Sequence, residues 1–379
     1  MSSVPHTYRA PGKVLLFGEH SAVFGYPAVG SSLTRGLQLS VSPADHMSLV
    51  VDGSRDQGNK TPTASEVSPK DAETAQVLHQ FAHFLTERAP HLPPSRITVT
   101  SDLPISSGFG SSAALCTALA QWSLAAEAAG TGTPAAGDGG VRERPGDPGE
   151  RSGDHAERAG DGWERPEPWH REIWQRAHEL EAFFHGTPSG IDTGLAALGG
   201  VQAFHFAPER DAESSQETEL PQTSLRSQES PVPRATRLSA ALPPLVVGSI
   251  PRRRSTRELV AMVRRQRDTH PAATEGTLRA LGTIAEDAIT LLSRDTADAT
   301  LLAERAAAAQ AHLSSLGVSS ATLEHILTVG ATAGALGGKL SGAGDGGAFY
   351  LVCADRDAAR AVLAAVTGEL PPGGVAFVV

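Results

Sequence analysis

A run of small residues, "DLPISSGFGSSAAL" from Asp102 to Leu115, separates a strand-like segment from a helix-like one. The alternating stretch "RITVTSDL" (96–103) delivers the chain to this loop, and "SSAALCTALAQWSLAAEAAG" (111–130) leaves it with helical spacing. Bare backbone therefore lies at a helix N-terminus. There the N–H groups carry partial positive charge, and small residues let an anion approach them. Ser111 and Ser112 add hydroxyls at the same place. Taken alone, the loop fits a phosphate cradle and a plain capped turn equally well.

Context excludes three familiar nucleotide sites. Gly108, Gly110 and Ala113 match a dinucleotide fingerprint superficially, but that site needs a second strand ending in an acidic residue about 20 positions on. Glu127 is near that distance yet lies within the same helical run. Neither H-R-D nor D-F-G occurs, which removes a protein kinase. In "AGALGGKLSG" (333–342), Ala333 and Leu340 stand where a P-loop needs Gly and Ser or Thr.

Strand-like runs ("KVLLFG", "LQLSVSP", "MSLVVDG") occupy 7–52, and "DAETAQVLHQFAHFLTERA" (71–89) has helical spacing. Residues 131–167 are polar, rich in Gly and Pro, and almost free of branched apolar side chains. They read as a disordered insertion. A second polar stretch, 208–235, reads as a linker or long loop. Beyond it come a strand ("PLVVGSI"), a helix with a Ser255/Glu258 capping box, further helices to about residue 334, and the closing strands "GAFYLVCA" and "GVAFVV". Strands and helices mix in both halves, so the class is α+β.

The 379 residues suffice for about two domains. A net charge of −10 argues against a nucleic-acid surface, so an anionic ligand must be attracted by local groups. Lysine occurs only at positions 13, 60, 70 and 339, which leaves a functional lysine few places to be. Cys116 and Cys353 form no framework and no metal motif, and read as buried hydrophobes in a reducing compartment. "MSSVPHTYRA" carries no signal pattern, and no apolar run suggests a membrane span. The expectation is a cytoplasmic protein with no membrane partner.

Three further stretches bear on the glycine loop. "RAPGKVLLFGEHSAVFGYPAV" (9–29) sets Lys13 beside a glycine and ends in adjacent Glu19 and His20, although an edge lysine before a turn would look the same. In "REIWQRAHELEAFFHGTPSGIDTGLAALGG" (171–200), Ile173, Trp174, Ala177, Leu180 and Phe184 form one helical stripe, and Glu181 falls inside it. A carboxylate on a buried face is costly unless paired or metal-bound, so Glu181 is a ligand or network candidate. Asp192 fits a helix-capping acid as well as a catalytic one. "GGKLSGAGDGGAFYLV" (337–352) is either a tight hairpin or a loop packed against a phosphate site.

Together these stretches resemble the GHMP small-molecule kinases, and within that family the members that phosphorylate mevalonate. "PGKVLLFGEHSAVFGYPAV", "PISSGFGSSAA" and "KLSGAGDGGAF" resemble the three family motifs. "ELEAFFHGTPSGID" and "PRRRSTRELVAMV" resemble segments of the mevalonate branch. Ser106, Phe109 and Asp345 depart from the usual residues, and Asp345 brings a negative charge toward the presumed phosphates.

The resemblance implies two domains. An N-terminal one (1–207) of the ribosomal protein S5 domain 2-like type would bind ATP. A C-terminal one (236–379) would be a ferredoxin-like α/β sandwich. It implies transfer of the γ-phosphoryl of ATP to the 5-hydroxyl of (R)-mevalonate, with Mg2+ and in a chain that can be a homodimer. Asp192 and Lys13 would be catalytic. Pro104, Ser106, Ser107, Gly108, Phe109, Gly110, Ser111 and Ser112 would cradle the nucleotide, with Gly342, Ala343 and Gly344 alongside. Ser112 and Glu181 would hold the metal. Lys13, Glu19, His20, Asp192 and Thr256 would line the substrate, and one of Arg252, Arg253 and Arg254 could meet its carboxylate, unless they form a solvated basic corner. The rivals are a phosphomevalonate or sugar kinase of the same family, or a non-catalytic nucleotide-binding relic of the fold.

Overall fold

The computed structural model describes residues 6–51, 92–103, 107–130, 167–185, 188–206 and 232–379. The expected helix at 71–89 lies outside them. So do Pro104, Ser106, all of 131–167 except Glu167, and most of 208–235.

Two long strands form the spine of the N-terminal half. β1 (His6–Phe17) and β2 (Ala28–Pro43) run antiparallel, with register shifts between Pro11 and Lys13 and between Leu15 and Phe17. Among the described residues β1 pairs with β2 alone, so its alternate amides face outward, and those of Lys13 and Leu15 bond to other parts of the molecule: Lys13 N–H donates to Phe109 O (2.8 Å) and Leu15 N–H to Ser341 Oγ (3.0 Å). Gly12 permits the approach, since a Cβ there would lie 2.7 Å from the Leu103 side chain and 3.0 Å from Phe109 O.

On its other edge β2 pairs with β4 (Ser95–Ser101) through one half and with β5 (Val201–His205) through the other. β3 (Ser48–Val51) extends the sheet beside β4, and β6 (Arg234–Leu238) closes it beside β5. The first sheet thus reaches past residue 235, into the segment expected to open the C-terminal domain.

Helix α1 (Ser111–Gly130) lies on this sheet. Ala113, Ala114, Leu115, Cys116, Ala118 and Leu119 are all buried, so it has no wet face along this part. α2 (Glu167–His185) packs on α1, and α3 (Ile191–Leu198) packs against α2 and β1. As the helical stripe requires, Ile173, Trp174 and Ala177 are buried, and Glu181 with them.

The C-terminal sheet contains β7 (Leu245–Ile250), β8 (Gly337–Leu340), β9 (Gly347–Val352) and β10 (Val375–Val378), all antiparallel, in the order β10-β7-β9-β8. Counted within this sheet the order is 4-1-3-2. Helices α4 (Thr256–Thr269), α5 (Pro271–Leu292), α6 (Ala299–Ser315) and α7 (Ala321–Thr332) follow its first strand, and α8 (Arg356–Glu369) follows its third. This is the ferredoxin-like split βαβ arrangement, elaborated by extra helices. The Ser255/Glu258 capping box opens α4 as expected, with Ser255 Oγ accepting from Glu258 N–H and Glu258 accepting from Ser255 N–H.

One apolar cluster joins Val14, Leu16, Phe17 and Val29 of the first sheet to β7, β9 and their helices. The end of β1 is therefore packed between the two halves. Among the described residues no helix is long and apolar enough to cross a membrane.

Candidate active site

Lys13 and Asp192, distant in sequence, meet at this junction. Lys13 Nζ lies 3.0 Å from Asp192 Oδ2; the lysine side chain is 6% exposed and the carboxylate 39%. One end of the pair is thus held by the interior and the other opens to solvent. Asp192 stands in the first turn of α3, whose entry is fixed by Gly190 in the left-handed region (φ 79°) and by Trp174 Nε1–H donating to Gly190 O at 2.9 Å. The stem of Lys13 crosses Gly110, where a Cβ would come within 2.8 Å of Lys13 Cγ and φ is +77°. Glycine at 110 is required on both counts.

The described part of the glycine–serine loop is pinned from both sides. Ser249 Oγ on β7 donates to Ser107 O at 2.7 Å, and Lys13 N–H to Phe109 O. Phe109 is expected among the nucleotide contacts. That expectation concerns its backbone; its ring is fully buried, edge-on to Phe377 of β10 at 5.4 Å. The larger ring reaches across to the second sheet. Phe109→Leu, which shortens that reach and deletes the edge-to-face pair, is expected to lower stability by about 1 kcal/mol in urea denaturation.

Ser111 and Ser112 occupy the first turn of α1. Glu181 is buried nearby in the field of Asp192 and Lys13. Its carboxyl is pushed up to about 8, first by burial and then by the charge of Asp192, while Lys13 and a hydrogen bond from Thr193 oppose the shift. Two carboxylates, Glu181 buried and Asp192 opening to solvent, share a single lysine, an oxygen-donor set of the kind that suits a hard divalent cation. That is the fit expected of a Mg2+ site built on Glu181 and Ser112.

Glu19 and His20 are expected on the substrate side, and the structure places both in the buried turn after β1. The Glu19 carboxylate is 1% exposed and bonded to Lys339 Nζ, itself 0% exposed. Lys339 also donates to Leu340 O at 2.6 Å and sits near the rings of Phe17 (5.8 Å) and Tyr350 (5.4 Å). Burial raises the Glu19 carboxyl and lowers the Lys339 ammonium from their ordinary ranges, and each charge offsets the other's shift. His20 (φ 60°) lies 2.9 Å through Nε2 from Ala343 O. A carbonyl only accepts, so Nε2 carries the proton and Nδ1 is left bare. Burial lowers this histidine from its usual range, so it is neutral.

The arginines divide. Arg254 Nε pairs with Asp345 Oδ2 at 2.8 Å, which answers the unusual charge in the third motif; Asp345 holds a left-handed φ of 51° and its amide donates to Val318 O. Arg252 donates from Nη1 to Thr256 Oγ1 at 3.1 Å and lies in a notch that the missing side chains of Gly108 and Gly347 leave open. Burial pushes its guanidinium down, with Asp192 and Asp345 opposing. Arg253 is exposed. Arg252, not Arg254, is therefore the arginine beside Asp192.

Two family models match the chain: the GHMP kinases N terminal domain over residues 76–133, and GHMP kinases C terminal over residues 289–371. The first takes in the glycine–serine loop and α1, and the second takes in the β8–β9 loop. The chain belongs to the GHMP kinases. It is an ATP-dependent small-molecule kinase.

This GHMP kinase is similar to the mevalonate kinase of Thermococcus gammatolerans, with 27% identity over 96% of this chain and 93% of that protein. In fold it is similar to L. major mevalonate kinase in complex with R-mevalonate (TM-score 0.69, 20% identity, covering 100% of this chain and 98% of that one). It is also similar to the Streptococcus pneumoniae phosphomevalonate kinase (TM-score 0.62, 12% identity, 99% of each chain). At these identities the likeness of structure speaks for the fold and not for the acceptor.

Sequence reasoning about this GHMP kinase missed Lys339 and Thr193. Lysine scarcity was a usable signal for the first, because a chain with four lysines that buries one completely has a use for it. Thr193 carries no such mark; only the fold turns its hydroxyl to Glu181.

Proposed function

We propose that this GHMP kinase transfers the γ-phosphoryl group of ATP to the 5-hydroxyl of (R)-mevalonate, giving 5-phosphomevalonate and ADP. The observation that carries the reading is the 3.0 Å Lys13–Asp192 pair beside the glycine–serine loop. A protein that only binds a nucleotide needs no carboxylate base there. The mevalonate acceptor is supported by the near full-length likeness to a mevalonate kinase.

Phosphoryl transfer passes through a loose transition state, so positioning and charge neutralisation supply most of the acceleration. In this reading Asp192 orients the acceptor hydroxyl through its open edge and takes the proton late in transfer. Lys13 Nζ balances the charge that develops between hydroxyl and phosphoryl oxygens. Amides of residues 107–112 receive the phosphates at the N-terminus of α1. Ser112 and Glu181 would hold Mg2+, which neutralises phosphate charge when bound. Thr193 keeps the Glu181 carboxylate turned toward that position. Thr256 and His20 complete the acceptor side, and a cytoplasmic enzyme is part of the same reading.

A coupled ADP-release assay with (R)-mevalonate, phosphomevalonate and galactose as separate acceptors tests it. Turnover is expected with (R)-mevalonate at least about 100-fold above the other two in kcat/KM. Preference for either alternative, or ATP binding without turnover of any acceptor, would overturn the assignment.

A further inference from the structure

The buried Glu19–Lys339 pair lies within the candidate site yet touches none of the reacting groups. A charge pair taken wholly out of water is an expensive way to fill space, and apolar residues of the same shape hold a core as well or better. Its surroundings indicate what it does instead. Three consecutive residues at the start of the third-motif loop are tied to the end of β1 and the turn after it. Ser341 Oγ accepts from Leu15 N–H, the Gly342 amide stabilises the Glu19 carboxylate, and Ala343 O accepts from His20. From the far side Asp345 N–H holds Val318 O, and Arg254 holds the Asp345 carboxylate. Lys339, one residue into the hairpin from Leu340, anchors Glu19 and donates to the Leu340 carbonyl.

We propose that Glu19 and Lys339 are positioning residues for the Gly342–Gly344 loop, fixing it for the nucleotide phosphates, and that Glu19 makes no contact with the acceptor. The inference rests on the phosphotransfer reading above. The carboxylate is 1% exposed and held on the lysine, so no path leads from it to an acceptor. A short glycine-rich loop needs such ties. Gly342 and Gly344 both hold positive φ (89° and 91°), and neither contributes a side chain to hold its own place.

The test measures KM for ATP, KM for (R)-mevalonate, ADP affinity by titration calorimetry and the thermal midpoint in three variants: Glu19→Gln, Lys339→Met, and both together. Glu19→Gln is expected to raise KM for ATP and weaken ADP binding about tenfold, with KM for mevalonate within twofold of wild type. A rise confined to the mevalonate KM would make Glu19 an acceptor contact and overturn the proposal. A lowered midpoint with both KM values and ADP affinity unchanged would make the pair a packing feature and overturn it too. If a single variant fails to fold, the double variant removes both charges and is expected to fold while keeping the weakened ADP binding. Wild-type ADP affinity in the double variant would refute the role. Wild-type turnover of mevalonate tests the phosphotransfer reading separately, and ADP affinity still reads the loop if that turnover is absent.

Discussion

Asp192→Asn enzyme is expected to fold, to bind ATP and mevalonate with near wild-type KM values, and to turn over about 10³-fold more slowly. The amide keeps the size of the carboxylate and can still accept a hydrogen bond, but it cannot take the acceptor's proton. It also removes the negative partner of Lys13 at 3.0 Å. The fold should survive because a second carboxyl stands by. Asp192 is one of the groups that keep Glu181 protonated, and once that charge is gone Glu181 ionises more readily beside Lys13. Initial rates in the ADP-release assay, with the thermal midpoint as a control for folding, decide the matter. A kcat within tenfold of wild type in folded Asp192→Asn protein would remove the residue from its proposed role.

The residues of this site were legible for different reasons. Lys13 and Asp192 could be picked out only through motif resemblance, because nothing in local spacing brings a strand residue to a helix start so far along the chain. Glu181 was legible from physics alone. An acid inside an apolar helical stripe has to be compensated, and it is found buried beside Lys13 and Thr193. Glu19 shows the opposite limit. Its motif suggested the acceptor side, but its partner lies 320 residues away on a strand whose approach to β1 depends on the assembly of both sheets. The register shifts in β1 were equally hidden. Nothing in the local sequence marks them, and only the structure reveals that the outward amides of Lys13 and Leu15 reach Phe109 and Ser341.

In metal-free enzyme, stability should fall as the pH is raised from about 6 to 9, and Mg2+ should restore it. The sign follows from Glu181. Its carboxyl sits at about 8 in the folded chain against 4.5 for an unburied glutamate, so the folded state holds a proton that the unfolded state gives up. The stabilisation is fully present below the unfolded value and is lost as pH rises through the folded one. Its slope approaches about 1.4 kcal/mol per pH unit between the two. His20 and His178 act in the other direction, since burial lowers both and folding then gains as pH rises, but that gain is complete once their unfolded forms are neutral near pH 7. Glu19, also raised by burial, acts in the same direction as Glu181, and its partner Lys339, lowered by burial, acts against it, so Glu181→Gln is the comparison that isolates the Glu181 slope. A divalent cation held by the ionised carboxylate replaces the proton and removes the slope. Differential scanning fluorimetry of apo enzyme should show a loss on the order of 5 °C between pH 6.5 and 8.5. The loss should be absent in Glu181→Gln and largely reversed by millimolar Mg2+ in wild type only. If the variant loses as much as wild type, Glu181 does not carry the buried proton; if Mg2+ flattens both profiles alike, it is not the group that receives the metal.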